Sequence, residues 1–115
     1  MYDDQLIETL RQGAIGLLDE WGLDPQTNVE LLTSSENATF LAEEPYTGRQ
    51  IVLRVHRPGY HTKQEIESEL AWIITLRREG IVETPEPLAV KNGRYLAGFE
   101  IEGKKRFVVA FAFMT

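Results

Sequence analysis

Residues 50–57, QIVLRVHR, constrain the fold more than any other stretch of this chain. In an extended strand Ile51, Leu53 and Val55 share one side, and Val52, Arg54 and His56 share the other. One side is plain core material, whereas the other sets a guanidinium among apolar neighbours. A charge in that setting is costly unless a partner or a charged ligand meets it. On the strand alone two readings stand. Arg54 is either a cation at a sheet edge whose stem covers apolar surface while its head reaches water, or a cation that faces an anionic ligand.

A chain of 115 residues suffices for one modest domain, burying roughly two thirds of its unfolded surface. Hydrophobic residues make up 43% of it, enough for a packed core. The formal net charge of −6 argues against a nucleic-acid partner, since such domains usually carry a basic face. There is no cysteine, which excludes disulfides and thiolate metal sites and fits a reducing compartment. The N-terminus, MYDDQLIE, is acidic and lacks a signal-peptide pattern. No apolar run approaches the ~20 residues of a membrane span. A cytoplasmic domain with no membrane role is expected.

Along the chain, residues 4–21 read as an amphipathic helix with Leu6, Ile7, Leu10, Ala14, Leu17, Leu18 and Trp21 on one stripe. Asp3 or Asp4 suits its start and Gly22 its end. Gly13 and Gly16 each weaken it by up to ~1 kcal/mol relative to alanine. Residues 28–33 and 38–43 flank the polar stretch Ser34, Ser35, Glu36 and Asn37 as a hairpin. A turn at 45–48 leads into the 50–56 strand, which Pro58 and Gly59 end. Residues 62–79 are the clearest helix, with Thr62 and Glu65 in capping-box spacing and Gly80 after its end. Its apolar arc of Ile66, Leu70, Ile73, Ile74 and Leu76 includes Glu69, so one carboxylate is expected to face the sheet. Strands follow at 87–90, 94–100 and 105–113, joined by turns at Asn92-Gly93 and Glu102-Gly103. The expected fold is α+β: five to six antiparallel strands, one helix packed on the sheet and an additional N-terminal helix.

Three features bear on chemistry. The turn TSSEN has successive N–H groups suited to a phosphate, although most such turns are only turns. Arg54 and an inward Glu69 would explain each other as a buried pair, whose disruption costs about 3–5 kcal/mol. His56 and His61 lack the further ligands of a metal site, so no metal residue is assigned. Asp3, Asp4, Asp19 and Asp24 suit caps and loops, and Glu43-Glu44 a solvated turn. The apolar ending FVVAFAFMT stops abruptly at Thr115, as in a chain cut from something longer.

The order TSSENATF, IVLRVHR, IESELAWIITLRREG and FVVAFAFMT resembles the N-terminal lobe of the aminoglycoside phosphotransferase, choline kinase and homoserine kinase-like family, whose fold is similar to that of protein kinases. The resemblance covers about residues 27–115, with residues 1–26 as an N-terminal helix and linker. It implies a nucleotide-binding lobe truncated at the hinge, from an enzyme moving the γ-phosphoryl group of ATP to a hydroxyl of an amino alcohol, amino acid, sugar or aminoglycoside. Ser34, Ser35, Glu36 and Asn37 would cover the nucleotide phosphates, without the glycine-rich pattern of protein kinases. Arg54 would stand where protein kinases carry a lysine on the α- and β-phosphates, and Glu69 would hold it. Phe111 would back the adenine pocket, with backbone groups of Ala112 to Met114 as the hinge. The catalytic base and the Mg²⁺ ligands would come from a missing C-terminal lobe, so the chain alone is expected to carry no catalytic residue, to be inactive, and to hold neither ATP nor Mg²⁺ tightly. Two alternatives remain at this point: a small α+β interaction protein binding through its exposed C-terminal strand, or a pseudokinase-like regulatory lobe. Self-association through the exposed apolar surface is expected on any reading.

Overall fold

The computed structural model describes residues 3–34, 37–58, 62–80 and 85–113. Helix α1 (Asp4–Ile15) begins at Asp3, whose carboxylate accepts the Leu6 N–H at 2.7 Å. The chain then tightens into a 3₁₀ turn at Leu18–Trp21, so the expected single helix is broken after Ile15. The break re-aims the apolar stripe: Leu18, Trp21 and Leu23 are buried together with Leu10 and Ala14. Gly22 closes the turn with φ +71°, a left-handed value that glycine adopts without strain.

Strands β1 (Asn28–Ser34) and β2 (Ala38–Glu43) form the expected hairpin, and β3 (Gln50–Val55) pairs antiparallel with β2. The β2–β3 turn is more than a solvated loop. Glu44 accepts the Thr47 hydroxyl at 3.0 Å and the Asp24 N–H at 3.1 Å, tying the N-terminal segment to the sheet. Helix α2 (Lys63–Arg78) starts in a complete capping box, with Thr62 accepting from Glu65 N–H and Glu65 accepting from Thr62 N–H.

The last three strands are β4 (Pro87–Leu88), β5 (Ala97–Ile101) and β6 (Lys104–Ala112). Glu102 and Gly103 both have positive φ, as a two-residue hairpin turn between twisted strands requires. The Asn92-Gly93 turn does not make the expected β4–β5 ladder. Both strands lie on one edge of β6 instead, β5 along its first half and β4 near its end, while β3 takes the other edge. The sheet runs β1-β2-β3-β6-β4, with β5 also on β6.

Two consequences follow from this order. Arg54 is not at a sheet edge, because β3 is flanked by β2 and β6. Nor is the apolar C-terminal strand an open edge, since β6 is paired on both sides. Among the described residues the exposed large hydrophobics are Leu31, Leu32, Tyr46 and Trp72, none of them on β6.

The alternation expected for β3 sorts the two faces. Ala38, Phe40, Ala42, Ile51, Leu53, Val55, Val108 and Ala110 are buried against α1 and the 3₁₀ turn. The opposite face carries α2, whose Ile66 and Leu70 pack on Val109 and Phe111. Helix α2 covers only part of that face. Thr39 and Leu41 on β2 and Val52 and Arg54 on β3 remain half-exposed beside it. The open part of the sheet is where a site can form.

Candidate functional site

A cavity of about 300 Å³ lies between this face and α2, lined by Val52, Arg54, Ile73, Pro85 and the run Phe111 to Phe113. Among the described residues Arg54 is the one charged group in its wall. Its guanidinium carbon stands 5.1 Å from the centroid of the Phe111 ring, within the range of a cation–π contact. Strand pairing explains the meeting. Val52 is in register with Phe111 and Arg54 with Val109, so all four side chains share one face of adjacent strands.

Three of the expected residues, Arg54, Phe111 and Ala112, therefore come together. Ser34 and Asn37 do not line the cavity, but β2 carries them near it. Thr39 is in register with Arg54, so Asn37, two residues earlier, lies about 7 Å further along the strand direction. Ser34 pairs with Ala38 beside it. The cavity thus has an axis, from the apolar Phe111–Phe113 end to the Arg54 end, on the side of Ser34 and Asn37. Ser35, Glu36 and Met114 lie outside the described residues, as does His61.

Two expectations are corrected. Glu69 does not face the sheet: it is exposed, and no ion pair joins it to Arg54 among the described residues. Because α2 meets only part of the sheet, its buried stripe narrows to Ile66 and Leu70, with Ile73, Ile74 and Leu76 half-exposed. Glu69, about 60° from Ile66 around the helix, falls on the open side. The second correction concerns the hinge. The Ala112 N–H donates to the Glu86 carbonyl at 2.9 Å and the Phe113 N–H to the Gln50 carbonyl at 3.4 Å. Ala112 thus contributes shape to the cavity, while its N–H is engaged within the sheet.

Val52, Ile73 and Pro85 are lining residues absent from the sequence expectation, whereas Phe113 falls inside the expected hinge run. The period-two pattern already places Val52 beside Arg54. Pro85 carries no such signal, because only the β4–β6 pairing brings it near β3. A larger groove of about 410 Å³ lies elsewhere on α2, toward Arg94 and Tyr95, and holds none of the expected residues. Among the described residues no cluster of three or more His, Asp or Glu could hold a metal ion.

The phosphotransferase enzyme family model matches residues 28–115. The chain belongs to this family. Among solved structures it is similar to a microcompartment-associated aminopropanol kinase at 36% identity and a TM-score of 0.78, over 88% of this chain and 30% of that one. It is also similar to an amicoumacin kinase, solved with AMP-PNP, Ca²⁺ and Ami, at 18% identity and a TM-score of 0.73, over 98% of this chain and 31% of that one. The second likeness carries the fold alone. None of the curated proteins matches. The chain spans about 30% of the length of the solved kinases, and its α+β architecture is that of their kinase-like N-terminal lobe. No helix among the described residues is long and apolar enough to cross a membrane.

Proposed function

We propose that this chain is the nucleotide-binding lobe of an ATP-dependent small-molecule kinase. The observation that carries the reading is the cavity that joins Arg54 to the Phe111–Phe113 run. Its volume is at the lower end for small-ligand sites, which are mostly apolar with a few placed polar groups. A nucleobase suits the apolar end, between Val52 and Phe111. The phosphates suit the Arg54 end, where a planar guanidinium offers paired donors to phosphate oxygens. The hairpin tip from Ser34 to Asn37 would close over them.

In the reaction, the bond from the γ-phosphorus to its bridging oxygen breaks and a bond to the acceptor oxygen forms. The acceptor proton passes to a base, and that base, with the ligands of Mg²⁺, belongs to a catalytic lobe beyond these residues. Mg²⁺ would neutralise charge on the β- and γ-phosphates. This lobe's own share is to bind and orient, and Arg54 holds the phosphates while the transferring group stays in line. The likeness to an aminopropanol kinase supports a small amino alcohol as acceptor. Glu69 is kept as a partner for Arg54 in the loaded enzyme, reached by a rotation of α2.

The test is ATP turnover, with a panel of amino alcohols, amino acids, sugars and aminoglycosides, by the enzyme that carries this lobe. Turnover with an amino alcohol is expected, and Arg54→Ala should weaken nucleotide binding about tenfold or more, as loss of a charge-assisted contact does. No turnover with any hydroxyl acceptor would overturn the reading. Unchanged affinity in Arg54→Ala would remove Arg54 from the site.

A further inference from the structure

Arg54 lies half-exposed on the open part of the sheet. Among the described residues it enters no ion pair, and its in-register neighbours, Thr39 on β2 and Val109 on β6, are uncharged. What its guanidinium does meet is the face of Phe111, at 5.1 Å. Phe111 is only 8% exposed and packs with Ile66, Leu70 and Val109. The ring is therefore the fixed platform and the arginine the adjustable partner. A cation over an aromatic ring is drawn to the negative face of the ring's quadrupole, more strongly as water is excluded. A planar guanidinium also stacks on the ring, which an ammonium does not.

We infer that Phe111 is the positioning residue for Arg54: its ring holds the guanidinium in the cavity, doing the work a carboxylate partner would do. The inference rests on the nucleotide reading above and adds a role to Phe111 beyond backing the base. The register gives the direction. Phe111 faces Val52, two residues from Arg54 toward the apolar end, so the resting guanidinium leans back along the cavity axis. Phosphate oxygens, arriving at the Arg54 end of the cavity, then meet a guanidinium that the ring already holds in place. Ring and phosphates thus engage one cation from two sides, and it enters the site already desolvated on one of them. Residue 54 must be both charged and planar for this, which accounts for arginine where a lysine would supply the charge alone.

The experiment reads the contact and its consequence separately. In NMR spectra of the chain, the Arg54 δ-methylene and Nε–H resonances should lie upfield of ordinary arginine positions. They should return toward those positions in Phe111→Leu and stay upfield in Phe111→Tyr. In MgATP titrations of the enzyme that carries this lobe, Phe111→Leu should weaken binding by roughly three- to tenfold, and Phe111→Tyr should restore it. In an Arg54→Met background, Phe111→Leu should add nothing. Phe111→Met, which keeps volume without a ring, replaces the leucine variant if that variant does not fold. Arg54 resonances that ignore the residue at 111 would overturn the inference. So would an equal loss from Phe111→Leu with either residue at position 54, which is the signature of a merely structural ring. A wild-type enzyme carrying this lobe that fails to bind MgATP would overturn the nucleotide reading and the positioning role with it. The upfield shift would still tell that outcome apart from absence of the Arg54–Phe111 contact.

Discussion

Replacing Gly13 by alanine should destabilise this protein, although alanine is the better helix former. On propensity alone the change in α1 favours the variant by about 1 kcal/mol. A Cβ at position 13, however, would stand 2.4, 2.5 and 2.6 Å from three atoms of the Phe99 ring. Ordinary carbon contacts sit at about 3.5–4.0 Å. Phe99 lies on β5 and packs, half-buried, against the core on the α1 side of the sheet, so moving its ring aside loosens that packing. Overpacking of this kind costs typically about 1–3 kcal/mol. With three ring atoms inside contact distance the cost should fall toward the top of that range, for a net loss of about 1–2 kcal/mol. Gly16 is the internal control. A Cβ there meets only the carbonyl oxygens of Gly13 and Gln12, at 3.5 and 3.7 Å, and its φ of −64° suits any residue. Gly16→Ala should therefore stabilise by about 0.4–1 kcal/mol. Urea unfolding read by circular dichroism measures both, as shifts in midpoint at constant slope. Phe99→Leu should lessen the penalty in the Gly13→Ala background. If Gly13→Ala proved as stabilising as Gly16→Ala, the close approach of Phe99 to α1 would be refuted.

Other outcomes follow from local contacts. Thr62→Ala removes half of the α2 capping box and should cost about 1 kcal/mol in the same unfolding assay. At the surface, Glu8 titrates below its ordinary value of 4.5, chiefly through a hydrogen bond from Gln12 and then through Arg11. Its contribution is therefore present above that value and fades as pH falls through the lowered one, and Gln12→Ala should flatten the acid limb of a stability–pH curve. Lys91 titrates above its ordinary value of 10.5 because of its hydrogen bond to Asp19. That contribution is present below pH 10.5 and fades as pH rises beyond it, so Asp19→Asn should flatten the alkaline limb.

Much of the fold is legible in residues that act locally. Asp3, Thr62 with Glu65, Gly22 and the Glu102-Gly103 turn each declare a cap or a turn through their own side chain or backbone. The alternation in β3 gives both faces of the sheet in advance. What stays hidden depends on contacts distant in sequence. Residues 4–21 keep a helical period throughout, yet the chain tightens after Ile15 so that Leu18 and Trp21 reach the core. Gly13 and Gly16 look equally weak in sequence, and only the position of Phe99 separates them. The cavity was half legible: the period-two pattern puts Arg54 and Val52 together, but the β3–β6 register that adds Phe111 is a pairing across more than fifty residues of intervening chain. A helical wheel could not settle Glu69, because the width of a buried stripe depends on how much sheet the helix meets.

That last point yields a test in which two arrangements predict different magnitudes. If Glu69 and Arg54 formed a buried pair, removing the carboxylate would leave an uncompensated charge and cost about 3–5 kcal/mol. In the structure Glu69 is exposed and enters no ion pair among the described residues, whereas Arg54 rests on Phe111. Glu69→Gln should then stay within about ±0.5 kcal/mol of the wild type, as exposed substitutions usually do. Urea unfolding of the nucleotide-free protein separates the two cases cleanly, since the smaller of the large costs exceeds the surface range several-fold. A loss of 3 kcal/mol or more would refute the exposed placement of Glu69. A near-neutral result combined with impaired turnover in the enzyme that carries this lobe would be more informative still. The carboxylate would then act only in the loaded enzyme, so that Phe111 holds the cation from the start and Glu69 joins it once nucleotide is bound.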